Sequence, residues 1–187
     1  MKKNIGNKFA FYPTPVIVVG AFVDGKPDFT LVAHIGIVTH DRAIISLNKA
    51  HYIKRGIKEN KVLTVNVVDE SWLEQAVVSG SISGRNTDKS SLFGYTLGGV
   101  NAPVIDSSKL SMECAVEDIY EIGAFENFVV KVVNTFAEES ILTNDGKPDY
   151  EKFKPVLFEM PNYTFLKTGQ TIGGCKSFMK NNIIGRN

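Results

Sequence analysis

Runs of β-branched and aromatic residues, broken every few positions by Gly, Pro, Asp or Asn, set the pattern of this chain. Val16 to Val23 is an almost unbroken apolar run and predicts a strand. Asp24-Gly25-Lys26-Pro27 predicts a turn, because glycine tolerates the positive φ of a tight reversal. Phe29 to Ile37 then returns as a second strand, completing a hairpin. Ala43 to Leu47 and Val62 to Val68 read as two more strands. Between them, Lys49 to Asn60 places Tyr52, Ile53 and Ile57 on one face of a helix that Asn60 ends.

Ser71-Trp72-Leu73-Glu74 has the spacing of a capping box, in which Ser71 and Glu74 satisfy the first amides of a short helix. Gly80 to Asp88 reads as loop, with Asp88 capping a turn toward Ser90 and Phe93. Leu110 to Glu117 and Asn127 to Phe136 are long strands, and Val156 to Lys167 is a last one, interrupted at Pro161. Asp145-Gly146-Lys147-Pro148-Asp149-Tyr150 echoes Asp24 to Phe29. The flanking sequences do not repeat, so the echo is reused turn chemistry. Many strands, few short helices and frequent turns predict a mainly β barrel in one domain spanning residues 1–187.

Composition narrows the function. The 187 residues include 12 Phe and 6 Tyr, ample for a core. Lys and Arg total 21 against 20 Asp and Glu, so no basic stripe awaits nucleic acid and no polybasic patch awaits anionic lipid. Cys114 and Cys175 read as thiols in a reducing compartment. His34, His40 and His51 are too scattered for a local metal signature. The polar start and the short run from Pro15 to Val23 match neither a signal peptide nor a membrane span, so a cytoplasmic protein is expected.

The glycine fingerprints of dinucleotide and P-loop sites are missing, as is the GxSxG serine motif. Chemistry is therefore expected from a cofactor that the protein positions.

Ordered blocks along the chain resemble the flavin reductase-like family, and within it the flavoredoxin-like branch. They begin with Tyr12-Pro13-Thr14-Pro15-Val16, the Asp24-Gly25 hairpin and Asp28-Phe29-Thr30-Leu31-Val32-Ala33-His34. Next come Ser46-Leu47-Asn48-Lys49-Ala50-His51-Tyr52, Gly56 to Asn60 and Leu63-Thr64-Val65-Asn66. Ser83-Gly84, Asp88-Lys89-Ser90, Ala102 to Ile105, Met112-Glu113-Cys114 and Tyr163 complete the set. The resemblance implies a split β-barrel homodimer with FMN near the subunit interface. It also implies that NAD(P)H or a redox protein donates electrons, and that the flavin itself carries the chemistry.

By the same resemblance, Thr30, Leu31, Val32, Ala33 and His34 match the strand beside the isoalloxazine. Leu47, Asn48, Lys49, His51 and Tyr52 match the phosphate-side loop, where a lysine, amides and a helix start suit a phosphate. Lys89 is a second phosphate candidate, with a surface lysine after a cap as the competing reading. His34 reads either as a flavin neighbour or as a core or interface histidine. Cys114 reads as a buried, inert thiol.

The chain departs from the family pattern at three places. Asp28 opens the flavin strand where Asn is common, His34 stands where an aromatic is common, and Ile53 replaces a hydroxyl residue after Tyr52. Three functions stay open: an NAD(P)H-dependent flavin reductase, a flavoredoxin-like FMN electron carrier, and a barrel binding some other ligand. Pyridoxamine phosphate oxidase-like proteins share the expected barrel but fit the blocks less well.

Overall fold

The computed structural model describes residues 1–11 and 13–180; Tyr12, which opens the first of the blocks above, lies outside the described residues. In chain order the elements are β1 (Thr14–Pro15), β2 (Ile17–Val23), β3 (Lys26–Val32), β4 (Ile35–Ile37), β5 (Arg42–Asn48), α1 (Lys54–Asn60), β6 (Val62–Val67) and α2 (Leu73–Ser81). They continue as β7 (Tyr95–Leu97), β8 (Pro103–Ile105), β9 (Leu110–Ile122), β10 (Phe125–Ala137), β11 (Val156–Glu159), β12 (Thr164–Lys167) and α3 (Cys175–Lys180).

Seven strands form one antiparallel sheet in the order β3-β2-β6-β9-β10-β5-β4. Its first and last strands are joined only by Ala33 and His34, so the sheet must curl back on itself into a split barrel. Ile17, Val19, Val32, Ile45, Leu47, Leu63, Val65 and Phe128 fill its interior, with Ile53 and Ile57 closing one end. A second cluster on the outer face gathers Val16, Val18, Phe29, Trp72 and Phe93. Thr64 and Asn66 sit fully buried inside β6, and their polarity has a use. The Thr64 hydroxyl donates to the Pro103 carbonyl at 2.6 Å, and Asn66 accepts from the Ile105 amide at 3.0 Å. These bonds pin β8 to the outer face of β6.

The returning strand expected from Phe29 to Ile37 divides. β3 begins earlier, at Lys26, after a two-residue turn in which Asp24 and Gly25 both take positive φ. It ends at Val32, and β4 pairs with β5 on the opposite edge. Barrel closure breaks the strand, because one segment cannot pair at both edges of a curled sheet without a bend.

The expected helix from Lys49 begins only at Lys54. Asn48 explains the delay: its side chain accepts from the Ala50 amide and its carbonyl from the His51 amide, both at 2.9 Å. A turn held this way competes with helix. The expected capping box at Ser71 and Glu74 is likewise replaced, since Asp69 accepts from the Ser71 amide at 2.8 Å and starts a short 3-10 turn before α2. Residues 80 and 81, expected as loop, belong to α2, and the tail is a β11-β12 hairpin that turns through Pro161.

α1 is fastened to the sheet by charge. Lys54 and Lys58, one helical turn apart, reach Glu126 Oε1 at 2.8 and 3.1 Å, and Glu126 is buried. Burial pushes the Glu126 carboxyl up, but the hydrogen bonds from Lys54 and Lys58 outweigh it and hold the group below its ordinary 4.5. A depressed carboxylate stabilises the fold above its unfolded pKa and loses that effect as pH falls through the folded value. Glu126→Gln is expected to cost about 1–3 kcal/mol near neutral pH in urea denaturation. The gap to wild type should close as pH drops below 4.5; an undiminished gap in acid would contradict the account.

Candidate functional site

The site is built on β3, which among the described residues has a hydrogen-bonded neighbour strand on one side only. The Phe29 amide donates to Asp28 Oδ1 at 2.8 Å, and the Phe29 carbonyl accepts from Lys89 Nζ at 2.7 Å. Both groups therefore point away from β2. In an antiparallel ladder the amide and carbonyl of one residue share a side, and the next residue takes the other. Leu31 must then present its peptide groups outward too, while Thr30 and Val32 spend theirs on β2. Pro27 falls in the same outward set, where its missing N–H costs no ladder bond.

Side chains alternate as well. Phe29 and Leu31 join the outer cluster, Val32 enters the barrel core, and Asp28 and Thr30 face a cavity. That cavity holds about 190 Å³ and is lined by Asp28, Thr30, His51, Tyr52, Gly84 and Lys89, among others. The end of α2 and the loop after it form the outer wall. Gly80 allows the helix to lie against the strand edge, since a Cβ there would come within 2.7 Å of Leu31 Cβ. Gly84 is constrained in the same way, because its Cβ would stand 2.5 Å from Asp28 Oδ2.

Two opposite charges lie buried at the cavity floor. Lys89 is 4% exposed and Asp28 is 4% exposed, with Lys89 Nζ 3.2 Å from Asp28 Oδ1. Lys89 also donates to the Ser79 carbonyl at 2.9 Å. The reading of Lys89 as a surface lysine after a cap is thus corrected. The cap itself exists, since Asp88 accepts from the Ser90 amide at 2.9 Å, but the lysine turns inward because a buried carboxylate and two strand and helix carbonyls receive it. Among the described residues, Asp28 Oδ2 and His51 Nδ1 are buried without a hydrogen-bond partner. Burial, aided by the nearby Lys89 charge, lowers the His51 pKa from its usual 6.5, with Asp28 opposing. His51 is accordingly neutral near pH 7, and an unprotonated ring nitrogen accepts rather than donates.

Of the residues singled out from sequence, Thr30, His51, Tyr52 and Lys89 meet at this cavity. Leu31 supplies the edge beside it. Val32 and Leu47 point into the barrel core. The Ala33 carbonyl accepts from the Thr14 hydroxyl at 3.1 Å. His34 is exposed where the strand leaves the sheet, its ring 5.4 Å from that of Phe125, so it is not a core histidine of this chain. Asn48 is spent on the turn described above, and Lys49 reaches Glu121 rather than the cavity. The helix start lies beyond them, at Lys54, which takes one of the reasons for placing a phosphate away from Asn48 and Lys49. Cys114 is buried, and burial with the neighbouring Glu113 charge pushes its thiol up to about 12. Among the described residues no cluster of His, Cys, Asp and Glu could hold a metal.

Arg85 lacked a motif of its own, yet it lines a second cavity of about 370 Å³ that continues from the first past Asp28, Tyr52, Gly84 and Lys89. The glycine beside it, in Ser83-Gly84-Arg85, was the one available signal.

Residues 9–161 match the model of the flavin reductase like domain. The chain belongs to that family. No curated protein sequence matches it. Among solved structures it is similar to the flavoredoxin from Methanosarcina acetivorans, with 30% identity over 97% of this chain and 98% of that one, and a TM-score of 0.91. The flavoredoxin of Desulfovibrio vulgaris (Miyazaki F) follows at 28% identity over 95% and 98%, with a TM-score of 0.86. An FMN-binding protein from Thermus thermophilus shares the fold at 18% identity, 93% and 97% coverage and a TM-score of 0.78. These likenesses put the chain in the flavoredoxin branch of the flavin reductase-like family. Among its described residues no helix is long and apolar enough to cross a membrane.

For this flavin reductase-like chain the buried pair makes a stability prediction. Lys89→Met leaves the Asp28 charge buried without its cation and should cost about 3–5 kcal/mol in urea denaturation. The double variant Asp28→Asn, Lys89→Met should recover much of that loss. Additive losses would show that the two groups are not coupled.

Proposed function

We propose that this chain is a flavin-dependent redox protein that carries FMN. The isoalloxazine lies along the outward edge of β3 from Thr30 to His34, and the ribityl chain enters the cavity beside it. The observation that carries the reading is the outward-facing Leu31 peptide next to a cavity with two buried polar atoms that lack a partner among the described residues, inside a flavin reductase-like domain. Leu31 offers one donor and one acceptor to the polar rim of a planar ring. Asp28 Oδ2 and His51 Nδ1 accept from hydroxyl groups, which a ribityl chain supplies.

A cavity of about 190 Å³ is below the roughly 300–1,000 Å³ of whole-ligand pockets, so the ring must rest outside it on the strand edge. When bound, the flavin supplies hydride and electron chemistry. The protein holds the ring at a strand edge and excludes water from the tail. His34 and Phe125 border the position proposed for the ring. Edge strand β4 leaves Ile37 91% exposed and Val38 52% exposed close by, and a second copy of the chain covers them in the homodimer we propose.

The likeness to two flavoredoxins favours an electron carrier as the second reading, alongside an NAD(P)H-dependent reductase. Purified full-length protein is expected to show the absorption of an oxidised flavin, or to acquire it on adding FMN. A colourless protein that binds no added flavin would overturn the proposal. Rapid bleaching by NADH or NADPH under anaerobic conditions would identify a reductase. Bleaching only by a reduced redox protein would identify a carrier.

A further inference from the structure

Both cations first assigned to a phosphate are already engaged. Lys49 pairs with Glu121, and Lys89 is committed to two carbonyls and Asp28. An ammonium has three donors, so Lys89 has none left for a ligand. What the cavity floor does offer is a carboxylate oxygen, Asp28 Oδ2, which can only accept, and a ring nitrogen of uncharged His51, Nδ1, both buried. A phosphate dianion brings only acceptors. Meeting that floor, it would place like charge beside a buried carboxylate.

The outer cavity does not reverse the sign. Asp24, Asp28 and Asp88 line it against Lys26, Arg85 and Lys89. Lys26 is held by Asp88 at 2.7 Å, and Asp24 is itself held by Arg55 at 2.8 Å. Arg85 is exposed, and among the described residues no acidic partner for it is seen. The inner cavity is also lined by Ile53, whose side chain donates nothing, and by Thr30, Ser81 and Ser83, of which Ser81 spends its hydroxyl on the Val77 carbonyl at 2.8 Å.

We infer that this site recognises the hydroxyl-bearing tail of a flavin rather than its phosphate, so that riboflavin and FMN are bound almost equally well. The inference rests on the flavin reading above. Asp28 is the specificity-determining residue: by neutralising Lys89 from within, it takes the place an external anion would occupy. The tail's hydroxyls donate to Asp28 Oδ2 and His51 Nδ1, and any phosphate extends outward over the exposed Arg85. A solvent-exposed contact of that kind changes affinity by no more than about fivefold.

Titration of flavin-free, full-length protein with FMN and with riboflavin, followed by quenching of flavin fluorescence, tests this directly. The two dissociation constants should agree within about tenfold. FMN binding tighter by more than that overturns the inference and leaves the flavin reading standing. Binding of neither flavin overturns the flavin reading, and the inference with it. Asp28→Asn supplies an independent check, since Asn retains an oxygen for the Phe29 amide but frees the Lys89 charge. The preference for FMN over riboflavin should rise by about tenfold or more in that variant. An unchanged ratio overturns the role given to Asp28. Because each readout is a ratio of two ligands on one protein, partial loss of folding does not mimic either result.

Discussion

Among the described residues β3 has a strand partner on one side only, and the rest of the site follows from that constraint. The alternation of an antiparallel ladder leaves no choice about which peptides face outward once one is known. The bonds of Phe29 to Asp28 and Lys89 establish the parity, and Leu31 inherits it. Pro27 is tolerated for the same reason. An exposed edge is normally a hazard, because unpaired amides and carbonyls invite another chain. Here α2 covers part of it, and Gly80 sets how closely the helix can approach. What stays open is a short stretch of backbone beside a small polar cavity, a place where a flat heteroaromatic ring with a polar tail can be held.

The buried charges give the cavity its chemical character. A lone Lys89 would make the floor an anion site. The ion pair with Asp28 cancels it and leaves the second carboxylate oxygen, an acceptor, beside an uncharged His51. Such a pair costs desolvation, which is returned only when the partners and their hydrogen bonds are well placed. The Phe29 amide and the Phe29 and Ser79 carbonyls meet that condition. The same contacts tie β3, α2 and the loop after it into one rigid corner.

Much of the barrel was legible in the sequence because its strands are apolar, β-branched and bounded by turn residues. Val16 to Val23 and Val62 to Val68 match β2 and β6 closely. The misplaced elements have local causes. Asn48 holds a turn where helical spacing pointed to a helix, and Asp69 caps where Ser71 had the better-known motif. The division of Phe29 to Ile37 depends on the sheet curling, which no short window contains. Within the site, Thr30, Leu31, His51, Tyr52 and Lys89 could be picked out by resemblance. Their partners could not. The burial of Lys89 depends on Asp28 and on a carbonyl of α2, and the engagement of Lys49 depends on Glu121, two strands away on β9.

Amide hydrogen exchange at β3 tests the central claim most directly. Thr30 and Val32, bonded to β2, should exchange slowly with or without flavin. Leu31 should exchange faster than both in flavin-free protein and become protected when a flavin is added. Flavin binding that leaves the Leu31 amide unchanged would contradict the account.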